Sequence, residues 1–495
     1  MGLTFVQALR LTSEGTGKPS AGSLASQSDV VAFVGAGGKT TAIFQLARQH
    51  ELPVIVTTTT HIGAWQADKA DEHITILRAE FRQREPTRIG QRHILKYTRG
   101  TPTSELPLLD QLLVISPSEY PGRLDVNGVS LVTGTETRDK RLSAPPEWAP
   151  MWLHDMARHN HIQMLIEADG AREKPLKAPA DHEPVIPPFA DMVVVVSGLS
   201  ALDQPLSDSN VHRAQEFASV SGLKMGEPIT PEALTRVLLD ADAGGLKNAP
   251  EQARCVALLN QADTPELQSQ AHGMSHALLK SYDAVVVASL ERNEIHAVHE
   301  SAAGIILAAG GSQRLGRPKQ LLDWRGQPFV RAVAETALRS GLRPVIVVTG
   351  SNADQVKAAL DGLPVQTVHN AVWETGQASS IRSGVQAVPS WCGSAIFLLT
   401  DQPQLKFDVI TALVDVHAAG LHPIVAPLVM MEQRANPVLF DRDTFPDLLQ
   451  LEGDVGGRAV FSRHRVEFMP WHDDRLLLDV DTEADYRHLV EDDTL

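Results

Sequence analysis

The sequence predicts an α/β protein made of two doubly wound domains with mostly parallel sheets. Short β-branched and apolar runs alternate with longer amphipathic stretches along the chain, and this alternation is typical of βαβ units. The apolar runs are continuous, which indicates strands that are covered on both faces. With 495 residues, the chain is also longer than a single core usually supports.

The first series of predicted strands follows an N-terminal segment, residues 1–29, of which residues 11–29 are polar and rich in Gly and Ser. This series lies within a domain at 30–290 and comprises Val30–Val34, Val54–Thr57, Leu112–Ile115, Met164–Ile166, Met192–Val196, Val256–Leu259 and Ala284–Ala288. A polar stretch, 291–303, is the predicted linker. The second domain, 304–495, contains Ile305–Ala308, Val345–Thr349, Val365–Val368, Ile396–Thr400 and Ile424–Ala426.

Composition limits the classes of partner. The formal net charge is −16, which argues against nucleic acid or an anionic membrane as the main partner, because both attract clustered Lys and Arg. The two cysteines, Cys255 and Cys392, provide neither a disulfide framework nor a thiolate metal site. The chain has no signal-peptide pattern and no apolar run near the roughly 20 residues that span a bilayer. We therefore expect a cytoplasmic protein that acts on small molecules.

A glycine-rich loop follows the strand that opens the second domain. Its residues are Leu307-Ala308-Ala309-Gly310-Gly311-Ser312, and backbone N–H groups in such a loop can hold phosphate oxygens. Arg314 and Lys319 add two positive charges close to the loop. The stretch therefore predicts a site for a phosphate chain.

Two carboxylates follow later apolar runs of the same domain. Asp401 comes after the apolar run 395–399 and precedes Gln402-Pro403, and Asp481 lies near the C-terminal end of the sequence. In open parallel sheets, ligands bind where strands end at their carboxyl side, and Mg²⁺ takes one or two carboxylates together with substrate phosphates. The alternative is that these carboxylates are helix caps or parts of surface loops.

Several motifs of the second domain occur in the order of one family. They are the loop 307–319, the segment Asn370…Gly376…Ser380, Thr400-Asp401-Gln402-Pro403, Asn436-Pro437-Val438-Leu439-Phe440, Glu452–Arg458 and Asp479-Val480-Asp481-Thr482. Together they resemble a molybdenum cofactor cytidylyltransferase of the MobA-like nucleotidyltransferase superfamily. The resemblance covers about the last 190 residues and implies a Rossmann-like nucleotidyltransferase fold.

The resemblance also implies an activity, which is cytidylyl transfer from CTP to molybdopterin with release of pyrophosphate. Leu307, Ala308, Ala309, Gly310, Gly311, Ser312 and Ser380 would then bind the nucleotide. Arg314, Lys319 and Asp401 would be the catalytic residues, and Asp401 and Asp481 would hold Mg²⁺. The sequence Leu-Ala-Ala-Gly followed by Pro318-Lys319-Gln320 is similar to the cytidylyl branch.

Two alternatives to this activity stay open. One is a nucleotidyltransferase for another small phosphate, such as a sugar or polyol phosphate. The other is a non-catalytic carrier or chaperone that holds the cofactor for a molybdenum hydroxylase.

The first domain carries its own glycine-rich loop after its first strand, with the sequence Gly35-Ala36-Gly37-Gly38-Lys39-Thr40-Thr41. Phe33 occupies the position where the P-loop pattern G-x-x-x-x-G-K-[ST] has its first glycine. The remaining G-x-x-G-K-T-T looks like the compact phosphate loop of Mur-type ligases, with Lys39 for phosphates and Thr40 for Mg²⁺. A glycine-rich turn without a ligand is the alternative.

Two further segments of the first domain suggest ATP or GTP. Asp169 follows a buried strand, as a Walker-B-like acid does, and Asn260 and Asp263 are spaced like the base-reading residues of P-loop GTPases. The N-x-x-D pattern is also common in simple turns.

The same domain resembles the selenium-dependent hydroxylase accessory family, often called YqeC-like. The motifs are Gly35–Thr41, Thr57–His61, Glu167–Gly170, Lys177-Ala178-Pro179, His182–Pro187, Val211-His212-Arg213 and Asn260–Asp263. This resemblance implies a role in the maturation of molybdenum hydroxylases, with such a hydroxylase as a partner.

Overall fold

The computed structural model describes residues 2–11, 30–50, 53–78, 93–99, 112–115, 128–147, 149–311 and 315–492. The described chain divides into two compact units, one ending at Ala297 and the other beginning at Val298. Each unit is an α/β structure with its own apolar core. None of the described helices combines the length and the apolar character that crossing a membrane requires.

The first unit is built on a large sheet that is parallel except at one edge. The strands of this unit are β1 (Val30–Gly35), β2 (Val54–Thr58), β3 (His61–Gly63), β4 (Glu72–Arg78), β5 (His93–Arg99), β6 (Leu112–Ile115), β7 (Val129–Thr133), β8 (Arg141–Ser143), β9 (Gln163–Glu167), β10 (Leu176–Lys177), β11 (Met192–Gly198), β12 (Val211–His212), β13 (Arg254–Asn260) and β14 (Ala284–Ser289).

The order of the large sheet is β6-β5-β4-β7-β2-β9-β1-β11-β13-β14, and β5 runs antiparallel to its neighbours β4 and β6. The pairs β3–β8 and β10–β12 form two short sheets. Because β1 lies between β9 and β11, the loop after β1 is placed beside the carboxyl ends of both neighbours. The central strands are covered on both faces, and all seven residues of β11 are buried.

The helices of the first unit are α1 (Phe5–Ala8), α2 (Lys39–Gln49), α3 (Ala149–Asn160), α4 (Ala214–Ser221), α5 (Pro231–Leu239) and α6 (Pro265–Leu278). The start of α5 follows from local chemistry, because the Thr230 hydroxyl accepts from the backbone N–H of Ala233 and Pro231 fills the first helical position. Thr264 and Pro265 begin α6 in the same way.

The second unit is also built on a mostly parallel sheet. Its strands are β15 (Glu294–Ala308), which begins just before the unit does, β16 (Asp323–Trp324), β17 (Gln327–Pro328), β18 (Val345–Thr349), β19 (Gln366–His369), β20 (Cys392–Leu399), β21 (Ile424–Val429), β22 (Gln433–Arg434), β23 (Val438–Asp441) and β24 (Val466–Trp471). The order of the main sheet is β19-β18-β15-β20-β23-β21-β24. In this order, β23 is antiparallel to both of its neighbours.

The helices of the second unit are α7 (Phe329–Arg339), α8 (Ala353–Ala359), α9 (Gln377–Gln386), α10 (Phe407–Gly420), α11 (Phe445–Leu448) and α12 (Glu483–Asp492). The apolar residues of α7 recur at helical spacing, and Phe329, Val330, Val333 and Ala337 are fully buried. This side packs on the sheet, and residues at the carboxyl ends of β15 and β20 border an open cleft.

The α/β class with mostly parallel sheets is confirmed, since each predicted strand matches or largely overlaps an observed one. The stretch 291–303, predicted as a linker, instead continues from a 3₁₀ turn, Leu290–Arg292, into β15. The charged residues at the start of this stretch are typical of a linker. The chain nevertheless is buried from Val298 through Glu300, as a strand within a sheet is. The domain limits themselves stay predictions.

Candidate functional site

A cleft of about 730 Å³ lies at the carboxyl ends of the central strands of the second unit. Its lining comes from the loop after β15, the start of α9 and the end of β20. The lining residues are Leu307, Ala309, Gly310, Lys319, Gln320, Trp373, Glu374, Thr375, Gly376, Gln377, Ser380, Leu399, Thr400, Asp401 and Asp454. The sheet edge at which the sequence predicts ligand binding therefore carries a cleft large enough for a nucleotide.

Lys319 joins the two predicted metal ligands in this cleft. Its Nζ donates to Oδ2 of Asp401 at 2.5 Å and to Oδ1 of Asp481 at 3.1 Å. Asp401 follows β20, and Asp481 directly precedes α12. The backbone N–H of Val480 donates to the carbonyl of Asp401 at 3.1 Å, so a main-chain contact keeps the two acidic segments together.

The charges of this group shift its acid–base equilibria. Burial alone lowers the pKa of Lys319, but the carboxylates of Asp401 and Asp481 reverse this effect, so its pKa lies above the usual value. The pKa of Asp479 is raised, first by burial and then by the charge of Asp401. Gln402 orients this third carboxyl, since its Nε2 donates to Oδ1 of Asp479 at 2.8 Å. The cleft therefore holds an ammonium within an acidic cluster.

The acidic pair has the chemistry that a hard divalent cation needs. Oδ1 of Asp401 is buried and has no hydrogen-bond partner within the described part of the chain. Within that same part, no group of three or more His, Cys, Asp and Glu side chains surrounds a common metal position. Two carboxylates with one unpartnered oxygen fit a Mg²⁺ ion that takes its remaining ligands from water and substrate phosphates.

The glycine loop approaches the cleft as predicted for part of its length. Leu307, Ala309 and Gly310 line the cleft, whereas Ala308 is buried behind it. The Gln320 side chain braces the loop, because its Nε2 donates to the carbonyl of Gly310 at 3.2 Å.

Gly311 belongs to the same loop and packs under an aromatic ring. A Cβ added at Gly311 would lie 3.0 Å from the ring of Trp373, so the indole covers the loop closely. The predicted contacts of Ser312 and Arg314 fall outside the described residues.

Ser380 lines the cleft near the start of α9, and Asn370 lies behind it. Asn370 Nδ2 donates to Oγ of Ser379 at 2.8 Å and to Oγ of Ser380 at 3.0 Å, so this buried amide positions Ser380. Gly376 precedes α9 with φ +114°, and a Cβ there would lie 2.4 Å from the carbonyl oxygen of Gly453. Glycine is therefore required where the segment 452–458 packs against the helix start.

Several residues that line the cleft are not among the site residues that the sequence predicts. Trp373, Gln320, Gln377 and Asp454 line the cleft, and Oδ1 of Asp454 accepts from the N–H of Gln377 at 3.2 Å. Trp373 and Asp454 lie inside motifs that carry the family resemblance. That position was the only signal available, since their contacts depend on the folded loops.

The glycine loop of the first unit is tightly bonded to its own unit. The N–H of Gly35 donates to Oδ2 of Asp169 at 3.0 Å, that of Ala36 to the carbonyl of Val196 at 2.8 Å, and that of Gly37 to the carbonyl of Lys174 at 3.0 Å. These three backbone N–H groups are therefore already hydrogen-bonded to acceptors of the protein itself. The P-loop character expected of this unit is not confirmed.

Lys39 begins α2 after Gly38 and is almost fully buried. Its Nζ donates to the carbonyl of Gly35 at 2.6 Å and lies 3.1 Å from Oδ1 of Asp169. A phosphate would therefore compete with Asp169 for this ammonium. Thr41 is half-buried in the first turn of the same helix.

Buried acids surround this lysine. The hydroxyl of Thr40 donates to Oε2 of Glu167 at 3.4 Å, and burial raises the pKa of Glu167 to about 7 against the opposing charge of Lys39. Lys177 lies 2.9 Å from Oδ2 of Asp169 and 2.8 Å from Oε2 of Glu183. The loop is thus attached to a chain of buried ion pairs.

Asn260 and Asp263, the two predicted base-reading residues, have different surroundings. Asn260 is buried, its Nδ2 donates to the carbonyl of Gly37 at 2.8 Å, and its Oδ1 accepts from the N–H of Leu290 at 3.0 Å. It therefore braces the glycine loop, and its base-reading role stays a prediction. Asp263 is exposed, and its carbonyl accepts from Arg292 at 3.0 Å, so the structure does not bring it to the loop.

Glu167 is expected to make the stability of the first unit depend on pH. Its pKa is about 7 in the folded protein against an ordinary value of 4.5. Between these values folding takes up a proton, so the free energy of unfolding decreases by about 2 kcal/mol as the pH rises from about 5 to 7. Glu167→Gln should abolish this decrease, measured as hydrogen-exchange protection of β9 amides at pH 5.5 and 7.5. Glu216→Gln, on an exposed site, is the control, and equal pH dependence in both variants would contradict the assignment.

Comparison with known proteins divides the chain in the same order as the sequence motifs do. Residues 31–215 match the family described as YqeC protein, and residues 304–468 match the family described as MobA-like NTP transferase domain. The uncharacterized protein YqeC of Escherichia coli (strain K12) is 28% identical over 242 residues, which cover 47% of this chain and 75% of that protein.

Two further relatives are matched over nearly their whole length. The nicotine blue oxidoreductase of Paenarthrobacter nicotinovorans is 34% identical over 198 residues, covering 38% of this chain and 95% of that protein. The purine catabolism protein PucB of Bacillus subtilis (strain 168) is 30% identical over 194 residues, covering 37% of this chain and 93% of that protein. The chain is a nucleotidyltransferase that belongs to the MobA-like NTP transferase family and carries a YqeC domain ahead of its transferase domain.

Proposed function

We propose that the second unit transfers a cytidylyl group from CTP to molybdopterin and releases pyrophosphate. The observation that carries this proposal is the group formed by Lys319, Asp401 and Asp481 beside the glycine loop. This group combines a phosphate-binding ammonium with two carboxylates, which is what phosphoryl-group chemistry requires. The family match supports the reaction type, and the cytidylyl-like loop sequence supports CTP.

The residues of the cleft would have separate roles in the reaction. Backbone groups of the loop from Leu307 to Gly311 would hold the triphosphate, and Ser380 would contact the nucleotide. Lys319, together with Arg314, would neutralise the charge that develops on the leaving pyrophosphate. The terminal phosphate oxygen of molybdopterin attacks the α-phosphorus of CTP, the bond from that phosphorus to the β-phosphate oxygen breaks, and pyrophosphate leaves with the bonding pair. Positioning and charge neutralisation suffice for this displacement.

Mg²⁺ belongs to the same proposal. Asp401 and Asp481 would hold the ion, with the unpartnered Oδ1 of Asp401 as one ligand. Bound there, the ion would neutralise charge on substrate phosphate oxygens. The remaining residues of the cleft would then orient the two substrates around this position.

A direct assay tests the transfer reaction. The purified chain is incubated with molybdopterin, Mg²⁺ and each of the four nucleoside triphosphates, and pyrophosphate and the dinucleotide product are measured. We expect product with CTP alone. A strong preference for GTP, or no pyrophosphate from CTP, would refute the proposal. Sugar and polyol phosphates as acceptors test the rival substrate class, and cofactor delivery without pyrophosphate would indicate the carrier function.

We propose that the first unit binds ATP or GTP and assists maturation of a molybdenum hydroxylase in the cytoplasm. Gly38, Lys39, Thr40 and Thr41 at the start of α2, together with Asp169, support nucleotide binding, because a phosphate can replace the carboxylate of Asp169 as the partner of Lys39. The resemblance of this unit to the selenium-dependent hydroxylase accessory family is the basis for the maturation role. A molybdenum hydroxylase is accordingly the proposed protein partner.

Lys39→Met is expected to weaken ATP or GTP binding by at least about tenfold, because it removes the buried ammonium at the loop. Binding is measured by calorimetry on the intact chain with a non-hydrolysable CTP analogue in excess, which saturates the other unit. Lys224→Met removes an exposed lysine of the same unit and is the matched control. Equal affinity in the two variants would favour a protein-interaction module with a vestigial loop.

A further inference from the structure

We infer that Lys319 occupies the divalent-cation position while the nucleotide is absent, so that metal and nucleotide bind cooperatively. This inference rests on the proposed function, because it assigns a binding order to the same site. Lys319 would be a positioning residue for the metal before it contacts a phosphate. The evidence is the placement of its ammonium, the anchoring of the two carboxylates and the freedom of the lysine stem.

The ammonium of Lys319 lies between the carboxylates of Asp401 and Asp481. Nζ of Lys319 lies 2.5 Å from Oδ2 of Asp401 and 3.1 Å from Oδ1 of Asp481. A Mg²⁺ ion held by both of these carboxylates would need the space between them. Two cations cannot share this space, since they would repel each other strongly in a partly buried site. A bridging ion therefore requires Lys319 to leave.

The backbone segments that carry the two carboxylates are held independently of the lysine. The carbonyl of Asp401 accepts from the N–H of Val480. The segment of Asp481 is fixed by Asp485, whose Oδ2 accepts from the N–H of Asp481 at 3.2 Å and from that of Thr482 at 2.7 Å. These are main-chain anchors, so the backbone that carries the acidic pair keeps its position when the ammonium moves away.

The lysine has another position available within reach. Its side chain is 24% exposed and borders the same cleft as the glycine loop. A flexible four-carbon stem allows the ammonium to turn from the carboxylates to a phosphate oxygen. The triphosphate would therefore draw Lys319 out of the cation position and open it to the metal. By thermodynamic linkage, metal binding would then tighten nucleotide binding by the same factor.

Mn²⁺ titrations followed by electron paramagnetic resonance test this inference without any acceptor or turnover. In the nucleotide-free state, Lys319→Met is expected to bind Mn²⁺ at least tenfold more tightly than the wild type. Lys406→Met is the matched control, because it removes the same charge from an exposed ion pair with Asp473 in the same unit. Mn²⁺ affinity no tighter in Lys319→Met than in Lys406→Met would overturn the inference.

Two further measurements make the result specific. Adding Asp481→Asn to Lys319→Met should cancel the gain in Mn²⁺ affinity, and a gain that persists would place the metal elsewhere and contradict the inference. A non-hydrolysable CTP analogue should tighten Mn²⁺ binding by a larger factor in the wild type than in Lys319→Met, and equal factors would also contradict it. Tight Mn²⁺ binding by Lys319→Met without transfer from CTP by the wild type would refute the proposed function alone.

Discussion

Asp401→Asn is expected to reduce the rate of nucleotidyl transfer by about 10³-fold while the fold is preserved. The substitution keeps the shape of the side chain but removes the charge that pairs with Lys319 at 2.5 Å. It also converts one of the two carboxylates proposed to hold Mg²⁺ into a weaker ligand. The rate is measured as pyrophosphate release at saturating CTP, and circular dichroism reports on the fold.

The matched control for this variant is Asp473→Asn. Asp473 forms an exposed ion pair with Lys406 at 2.9 Å in the same unit, so its replacement changes the net charge equally and should leave the rate unchanged. A normal rate of cofactor delivery in Asp401→Asn, with no transfer by the wild type, would instead support the carrier function.

Asp441→Ala is expected to destabilise the second unit by about 3–5 kcal/mol. Oδ2 of Asp441 accepts from Nε2 of His417 at 2.7 Å, and both side chains are buried. Oδ1 also accepts from the N–H of Asp443 at 2.9 Å. The substitution thus removes the acceptor of the buried Nε2 of His417, between α10 and the end of β23. Urea titration with hydrogen exchange of β23 amides as the readout measures the change.

Glu335→Gln provides the contrast for this experiment. Glu335 pairs with Arg331 at 3.0 Å on the surface of α7, and surface pairs at this spacing contribute about 0.5 kcal/mol or less. A similar loss of stability in the two variants would mean that the buried pair of His417 and Asp441 contributes no more than a surface pair.

The central strands could be predicted because both of their faces are buried. β11, for example, is a continuous apolar run, and burial of all its residues explains why. β4 was missed because Ile74 and Ile76 are buried while the intervening Thr75 is only half-buried. Such an alternating strand carries a weaker apolar signal than a strand covered on both faces. The antiparallel strand β23 overlaps the motif Asn436–Phe440, whose sequence alone does not indicate a strand.

The sequence predicts which types of residue form the candidate site. It predicts few of the contacts among them. Asp401 and Asp481 attract attention as acids after apolar runs, but the pairs that Lys319 makes with them join positions 82 and 162 residues apart. No local pattern specifies that a lysine lies between them. The same limit applies to the loop of the first unit, where Asp169 and Lys174 occupy N–H groups that a phosphate would need.

The contact between the N–H of Val480 and the carbonyl of Asp401 has a consequence for biosynthesis. Asp481 is translated only after α10, β21, β23 and β24 have been made. A nascent chain that already displays the glycine loop and Asp401 therefore lacks the second carboxylate. Under the proposed role of Asp481, nucleotidyl transfer would begin only after translation had passed Asp481, and a shorter ribosome-bound fragment would be catalytically silent.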